Sequence, residues 1–577
     1  MTMLAATILK GPDYFILTGY FVLMLAIGAY FFRFMRGMKD YFSGANRVPW
    51  WLSGTSFYMS SFSAFAFIFY SALAYKYGWV GVTLFWVSVP ATLVSVTFFS
   101  ARWRRARIDS PVEYLESRYS PILRQSFAWH GVVVRLFDDA LKLIAVGTFL
   151  AVGLDIDVTT SMIASGLIIL SYTFMGGLWA VIVTDFVQFV VLTGAIIVIL
   201  PLSIIEAGGL ASIIRDAPAG FFHLTASEFN WVYVGSSVVL SSLCYSALHW
   251  PLVQRYYCVA NEKEARKVGW LVVILNIIGP PVMFFPAMAA RSFLGTLTDE
   301  AQVYPLLCAR LLPAGMFGLM VAAMFSATMS MLSSDYNVCA NVLTSDVYRR
   351  YIRSGASQRE LLLVGRITTV LVGLGSLGLA LLLAGGSGEK QFRNMVTLFS
   401  TMAAPVAIPM LLGLVWKRAT NAAALAGFLT GSVVGVVLFW WAPDAFVFLG
   451  AGWKRENLIL VCTCLATLGP IVAVSRFGRT GERNRERTRD FFQRLATPIG
   501  GLTEDAPPVP TGDDAVISPF RVVGICVVFI GLMMLAIYPW IHGRLLTELN
   551  LVLGGLAVVI GGLMAWRGGR EPPTGEA

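Results

Sequence analysis

Runs of about twenty predominantly apolar residues recur along this chain, and a stretch of that length and hydropathy is what an α-helix needs to cross a bilayer. Fifteen spans are predicted: Tyr14–Phe32, Trp51–Tyr75, Trp79–Ser100, Phe127–Val152, Ser161–Leu178, Phe186–Ile205, Val232–Leu248, Trp270–Ala290, Met316–Tyr336, Leu361–Leu383, Met395–Trp416, Ala422–Trp441, Leu458–Val474, Val522–Trp540 and Leu549–Trp566. Inside lipid every backbone amide must find its partner within the protein, so an all-α polytopic membrane protein is expected. Of 577 residues 57% are hydrophobic and only 13% charged, whereas about a quarter of a soluble domain is charged. Seven scattered cysteines without a CxxC pair, and four histidines, leave neither a disulfide framework nor a zinc site to expect. No cofactor is predicted.

The net charge of +10 takes its meaning from where the cations lie. If the spans alternate, the loops after odd-numbered spans, with the C-terminal tail, hold 29 of the 43 Lys and Arg, Arg255 among them. The opposite side holds 10, and four (Arg135, Lys142, Arg366, Arg521) fall in or at the edge of spans. Cytoplasmic loops carry such an excess, which places the N-terminus outside and the C-terminus in the cytoplasm of a multi-pass cell-membrane protein. The basic charge then faces membrane lipid; no nucleic acid is expected as a partner. The opening residues MTMLAATILKGPDYF lack the charged start and cleavage site of a signal peptide, so the first span is expected to stay as an anchor.

A polyhelical chain without a carboxylate or histidine cluster at a membrane face is not expected to be an enzyme. Transporters built from inverted repeats place their site on a pair of interrupted helices in corresponding positions, and two spans have that character. The second reads WWLSGTSFYMSSFSAF; the seventh reads GSSVVLSSLCYSALHWP; they lie five spans apart. The ninth carries Ser330, Ser333, Ser334 and Asn337 on one helical face, the hydroxyl donors that a small hard cation such as sodium takes. Intramembrane charge marks function by default. Asp185 opens the sixth span; the fourth carries Arg135, Asp138, Asp139 and Lys142, read as i,i+4 pairs Arg135–Asp139 and Asp138–Lys142; Asp335 has no obvious partner.

These residues belong to five longer motifs: DYFSGANRVPWW (Asp40–Trp51), TFMGGLWAVIVTDFVQ (Thr173–Gln188), LVQR with EARK (Leu252–Lys267), SATMSMLSSDYN ending in TSDVY (Ser326–Tyr348) and LLGLVWKRAT (Leu411–Thr420). In this order and spacing the chain resembles the sodium/solute symporter family from about Asp40 to Thr420. The resemblance implies the five-plus-five inverted-repeat core of the leucine-transporter fold, one extra N-terminal helix and about four extra C-terminal ones. It implies sodium-coupled symport of a small organic solute by alternating access, with sodium as coupling ion. The family's general sodium site maps to Ser56, Met59, Ala327 and Ser330, but its second hydroxyl position is Met331. A thioether is a poor substitute there, so that site is weakened, rebuilt with Ser56 or Asp335, or lost. A further sodium site of some members, one Asp and three Ser, maps completely to Asp185, Ser330, Ser333 and Ser334.

For the solute, Tyr245 matches the family's aromatic inner gate. Ser63, His249, Asn276 and Thr397 stand where sugar-transporting members carry Gln, Asn, Lys and Gln, which disfavours a hexose-type network. Phe57, Tyr58, Phe62, Phe65 and Phe67 suit an amphipathic or cationic solute. The expected organisation is an anchor helix and loop (1–50), two repeats (51–206 and 231–416), additional helices (422–475), a linker (476–519), a C-terminal helix pair (520–566) and a disordered tail (567–577). Two other readings stay open: a transporter-like solute sensor signalling through a cytoplasmic partner, and a symporter driven by protons rather than sodium.

Overall fold

The computed structural model describes residues 9–32, 42, 44–61, 63–154, 156–297, 300–384, 388–448, 451–478, 482–502, 518–541 and 543–569. Phe62, most of the first loop (33–41), part of the linker (503–517) and the tail from 570 onward lie outside them, as does the side chain of Phe65. The chain is helical almost throughout. In order the main helices are α1 (Gly11–Phe32), α2 (Trp50–Met59), α3 (Ala64–Tyr77), α4 (Trp79–Arg105), α5 (Pro121–Leu154), α6 (Val158–Glu206), α7 (Trp231–Leu248), α8 (Trp250–Tyr257) and α9 (Glu262–Leu294). There follow α10 (Met316–Ile352), α11 (Gln358–Leu383), α12 (Gly388–Val415), α13 (Asn421–Trp441), α14 (Arg455–Phe477), α15 (Glu482–Ala496), α16 (Pro519–Trp540) and α17 (Arg544–Gly568). One small antiparallel hairpin, Ala445–Phe448 with Ala451–Lys454, joins α13 to α14.

Among the described residues twelve helices are long and apolar enough to span a membrane. The other three predicted spans differ for physical reasons. The second is split into α2 and α3, neither long enough alone. The fourth, inside α5, carries Arg135, Asp138, Asp139 and Lys142. The fifth and sixth are one uninterrupted run of helix, α6, of 49 residues. The linker is not featureless either: an Arg-rich stretch of it forms the 15-residue helix α15.

Both interrupted helices are broken. In the first, α2 stops at Met59, Ser60 and Ser61 turn, and Ser63 takes up extended backbone before α3. The break frees the Ala64 amide, which donates to Thr328 Oγ1 of α10 at 3.0 Å. In the second, α7 ends in a widened turn at Cys244–Leu248, and His249 leaves the helical region (φ −79, ψ 89). Pro251 is the local cause: it has no amide to continue the α7 ladder and suits the first turn of a new helix, here α8.

Helix α10 is the axis of the molecule. Every residue from Met316 to Val342 is buried, so protein surrounds the helix on every side, the face with Ser330, Ser333, Ser334 and Asn337 included. Its start is anchored by Asp13 of α1, whose Oδ1 accepts from the amides of Gly315 (2.6 Å) and Gly318 (2.7 Å), a carboxylate on the positive end of a helix. Tyr20 of α1 accepts from Ser326 (2.9 Å) of α10 and Gln188 (3.3 Å) of α6. The architecture is the five-plus-five inverted-repeat core, α2 to α12, with α1 before it and further helices after it.

Candidate functional site

Asp185 of α6 is fully buried, and its two carboxylate oxygens have different surroundings. Oδ2 accepts from Ser56 Oγ of α2 and, at 3.4 Å, from the guanidinium of Arg255 in α8. Oδ1 and the buried Ser330 Oγ of α10 have no hydrogen-bond partner beyond the close approach of Ser330 to this carboxylate. Buried polar atoms are almost always fully paired, so two oxygens beside a broken helix with no partner beyond each other mark a place for a cation. Ser333 donates to the Ser330 carbonyl (3.1 Å), which leaves its oxygen lone pairs available. Ser334 Oγ lies 3.1 Å from Ser60 Oγ at the first break and accepts from Arg255 (2.8 Å). The structure therefore brings Asp185 together with Ser330, Ser56 and, through Arg255, Ser334, while the Ser333 hydroxyl is placed only against the Ser330 carbonyl of its own helix. Met59 and Ala327 are buried on α2 and α10, as is Met331.

Arg255 is the functional residue that the sequence reading missed. It counted as a loop cation; in the structure it is fully buried, donating to Ser56 Oγ (2.7 Å), Gln254 Oε1 (2.7 Å), Ser334 Oγ and Asp185. It thus says nothing about topology. The only signal in sequence was its place in LVQR, directly after a broken helix.

A second buried charge cluster lies where α5 crosses α10 at the α7–α8 break. Lys142 Nζ reaches Asp138 (2.8 Å), Asp139 (3.3 Å) and Asp335 (2.7 Å). Arg135 reaches Asp138 (3.2 Å), Asp335 (3.3 Å), His249 Nδ1 (3.1 Å) and the Leu248 carbonyl (2.8 Å). The Asp138–Lys142 pair is as read from sequence. Arg135–Asp139 is not: the partner of Arg135 on its own helix is Asp138. Asp335, for which the sequence offered no partner, bridges both cations from α10. Because Arg135 donates to His249 Nδ1, that nitrogen is an acceptor and the ring is neutral there.

Of the five residues expected at the solute, Ser63, Tyr245 and His249 lie at the two breaks, and Asn276 and Thr397 lie on α9 and α12. The Tyr245 hydroxyl lies beside Ser61 of the first break and its ring is 6.0 Å from that of Phe57. His249 stacks on Phe399 (5.4 Å), two residues beyond Thr397 on α12. Ser63 is buried at the head of α3 with its side chain not engaged in capping. Asn276 of α9 is held from α4: its amide donates to Thr92 Oγ1 (3.0 Å), and its Oδ1 is buried without a partner.

Residues 41–431 match the sodium:solute symporter family. Relatives include a sodium/sialic acid symporter of Proteus mirabilis, 25% identical over 478 residues (79% of this chain, 95% of that one), and a sodium/glucose cotransporter of Vibrio parahaemolyticus, 26% identical over 454 residues (72% and 82%). In three dimensions the chain is similar to a Na+-coupled sialic acid symporter solved in a substrate-bound outward-open state, with a TM-score of 0.73 at 23% identity, covering 81% of this chain and 98% of that one. The likeness of fold, the two broken helices and the matched length of sequence agree: the chain belongs to the sodium:solute symporter family.

Proposed function

We propose that the coupling sodium of this symporter binds mainly between Asp185 Oδ1 and Ser330 Oγ, with the hydroxyl oxygens of Ser333 and Ser334 as further ligands. The observation that carries this reading is the pair of fully buried oxygens on Asp185 and Ser330 that have no partner beyond each other. A carboxylate and hydroxyls are the hard donors that an alkali ion takes. Arg255 holds Oδ2, which leaves one oxygen of the carboxylate to the ion. The position formed by Ser56, Met59, Ala327, Ser330 and Met331 offers a thioether where a second hydroxyl would serve, so it is the weaker candidate.

The solute, on this reading, is a small organic molecule of amphipathic character held between the two breaks. Ser63, Thr397 and the free Oδ1 of Asn276 supply polar contacts, Tyr245 covers it, and His249, its Nδ1 taken by Arg135, presents a flat wall stacked on Phe399 with the Nε2–H left to donate. The rings of Phe57, Tyr245 and Phe399 favour this class over a hexose. We place the N-terminus outside and the Lys- and Arg-rich loops on the cytoplasmic face.

The test is uptake into proteoliposomes under imposed sodium or proton gradients, after a thermal-shift screen of sugars, amino acids, carboxylates and quaternary amines with and without sodium. Uptake is expected to follow the sodium gradient, and Ser330→Ala to raise the sodium concentration needed by about tenfold, equivalent to the loss of about 1.4 kcal/mol. Uptake that follows protons and ignores sodium would overturn the assignment, as would an unchanged sodium dependence in Ser330→Ala.

A further inference from the structure

The Arg-rich helix α15 is not absorbed by transport, and its position gives it a different role. It packs against the end of α4 and the segment that leads into α5, on the face that carries the Lys and Arg excess: Thr488 accepts from Arg118 (3.1 Å) and Arg487 donates to the Tyr119 carbonyl (2.7 Å). Between α15 and the core lies a cavity of about 550 Å³, within the size range of small-molecule sites.

Among the described residues five cations line this cavity (Arg118, Lys417, Arg418, Arg485, Arg489), and no carboxylate does. Arg118 is 2% exposed, and its guanidinium is spent on neutral acceptors, the carbonyls of Gly413, Trp416 and Ala419 and the Thr488 hydroxyl. Lys417, Arg418, Arg485 and Arg489 stand exposed around it. Among the described residues the one ion pair of these five is Arg489 with Asp490, at 3.9 Å. Two lining atoms are shielded and unpartnered: Ser475 Oγ, a hydroxyl with a proton to give, and Asn421 Oδ1, an acceptor.

We propose that this cavity is a binding site for a phosphate-bearing anion. Guanidinium forks and a lysine point charge match the charge and oxygen geometry of phosphate, Ser475 supplies a neutral donor, and Asn421 takes a hydroxyl from whatever the phosphate carries. Such an anion would come from an acidic phospholipid headgroup or from a soluble phosphate compound. The cavity borders the lipid-facing ends of two spanning helices, where Val415 is 40% and Phe477 82% exposed, so an acyl chain would find apolar surface beside it. Basic pockets at this level of a membrane protein bind anionic headgroups.

The experiment uses the full-length chain and a variant carrying Lys417→Gln, Arg418→Gln, Arg485→Gln and Arg489→Gln. Native mass spectrometry reads retention of phosphatidylglycerol against phosphatidylcholine, and thermal shift reads added inorganic pyrophosphate at low salt. The wild type is expected to bind a phosphate ligand saturably, and the variant at least about tenfold more weakly, since each cation near an anionic surface contributes measurably. Selective retention of phosphatidylglycerol that pyrophosphate does not displace identifies the lipid; equal binding and displacement by pyrophosphate identifies a soluble phosphate. Sodium-induced stabilisation, which depends on Asp185 and not on these residues, reports that the variant is folded. Equal retention of both lipids with no saturable pyrophosphate shift, or undiminished binding in the variant, overturns the proposal.

Discussion

Asp185→Asn tests the site most directly, and the structure says why it must be read together with Arg255. The carboxylate and guanidinium are 3.4 Å apart and both fully buried. At an effective dielectric constant of about 20, two unit charges at that distance attract by about 5 kcal/mol before desolvation is counted. Removing one partner of such a pair leaves an uncompensated buried charge and typically destabilises by about 3–5 kcal/mol. Asp185→Asn should therefore lower the melting temperature and abolish sodium stabilisation at once, and the single variant cannot separate the two effects. The double variant Asp185→Asn/Arg255→Gln can: with no charge left stranded it should regain more than half of the lost stability and still show no sodium response. The assay is the melting temperature of purified protein over a sodium titration. Saturating sodium should stabilise the wild type, by about 2.7 kcal/mol at a hundred times its dissociation constant, and neither variant. A double variant no more stable than the single one would refute the energetic pairing; a sodium response in either variant, or full sodium-dependent uptake by Asp185→Asn, would refute the ion site.

Three further outcomes follow from the same geometry. Lys142→Met leaves Asp138, Asp139 and Asp335 without their shared cation and should cost about 3–5 kcal/mol, with Asp335→Asn added in the same chain restoring part of it; melting temperatures of the four members of the cycle check this, and strict additivity would argue against the network. Gly131→Ala would drive a methyl carbon into the ring of the buried Trp250, the first residue after the second break, so a loss of about 1–3 kcal/mol is expected and an unchanged melting temperature would show that Trp250 has room to move. Glu116, outside the spans, accepts from Arg124 (2.8 Å) and Arg350 (2.6 Å), and hydrogen bonding to Arg350 holds its pKa below the usual value. A depressed carboxylate pKa stabilises the folded state above the unfolded value of about 4.3 and ceases to as pH falls through the folded one. Glu116→Gln should thus cost about 0.5–1 kcal/mol at pH 7 and nothing well below pH 4, read as converging melting curves.

The elements that carry the site were legible where their local chemistry was unusual for a membrane span. Serines packed into WWLSGTSFYMSSFSAF, and Pro251 closing the seventh span, announce two helices that cannot run on, because each leaves backbone groups that only another helix can satisfy. Asp185 and the Ser330–Ser334 stretch were legible for the same reason: lipid tolerates neither a carboxylate nor a row of hydroxyls without cause. What escaped was pairing across the fold. Arg255 precedes NEKEARK and reads as the start of a basic loop; only its distance to Asp185, 70 residues away in sequence, shows it to be buried. Asp335 meets Lys142 across 193 residues, and Arg135 had two aspartates within one turn, so that helical spacing could not say that Asp138 rather than Asp139 would take it. The 49-residue helix α6 shows the limit of hydropathy itself, which sees two apolar stretches and not whether the backbone between them unwinds.

Arg255 also bears on how ion binding and helix movement are linked. Its backbone carbonyl accepts from Ser53 of α2 (2.8 Å), and its guanidinium touches Ser56 of α2, Ser334 of α10 and Asp185 of α6. One side chain on the second broken helix therefore joins the first broken helix to two continuous ones. The first break is further tied to α10 by Ser60 with Ser334 and by the Ala64 amide with Thr328, contacts that any shift of the broken helix against α10 would change. A sodium ion can drive that shift only by binding one arrangement better than the other, a preference of 1.4 kcal/mol moving the populations tenfold. If the ion takes Asp185 Oδ1 while Arg255 holds Oδ2, the carboxylate serves both, and loading the ion weakens the hold of Arg255 on α6. By reciprocity, a substitution that loosens Arg255 without removing its charge, such as Arg255→Lys, should raise sodium affinity in the state where the guanidinium and the ion compete. A lower sodium affinity in Arg255→Lys would mean that Arg255 builds the ion site rather than competing with the ion.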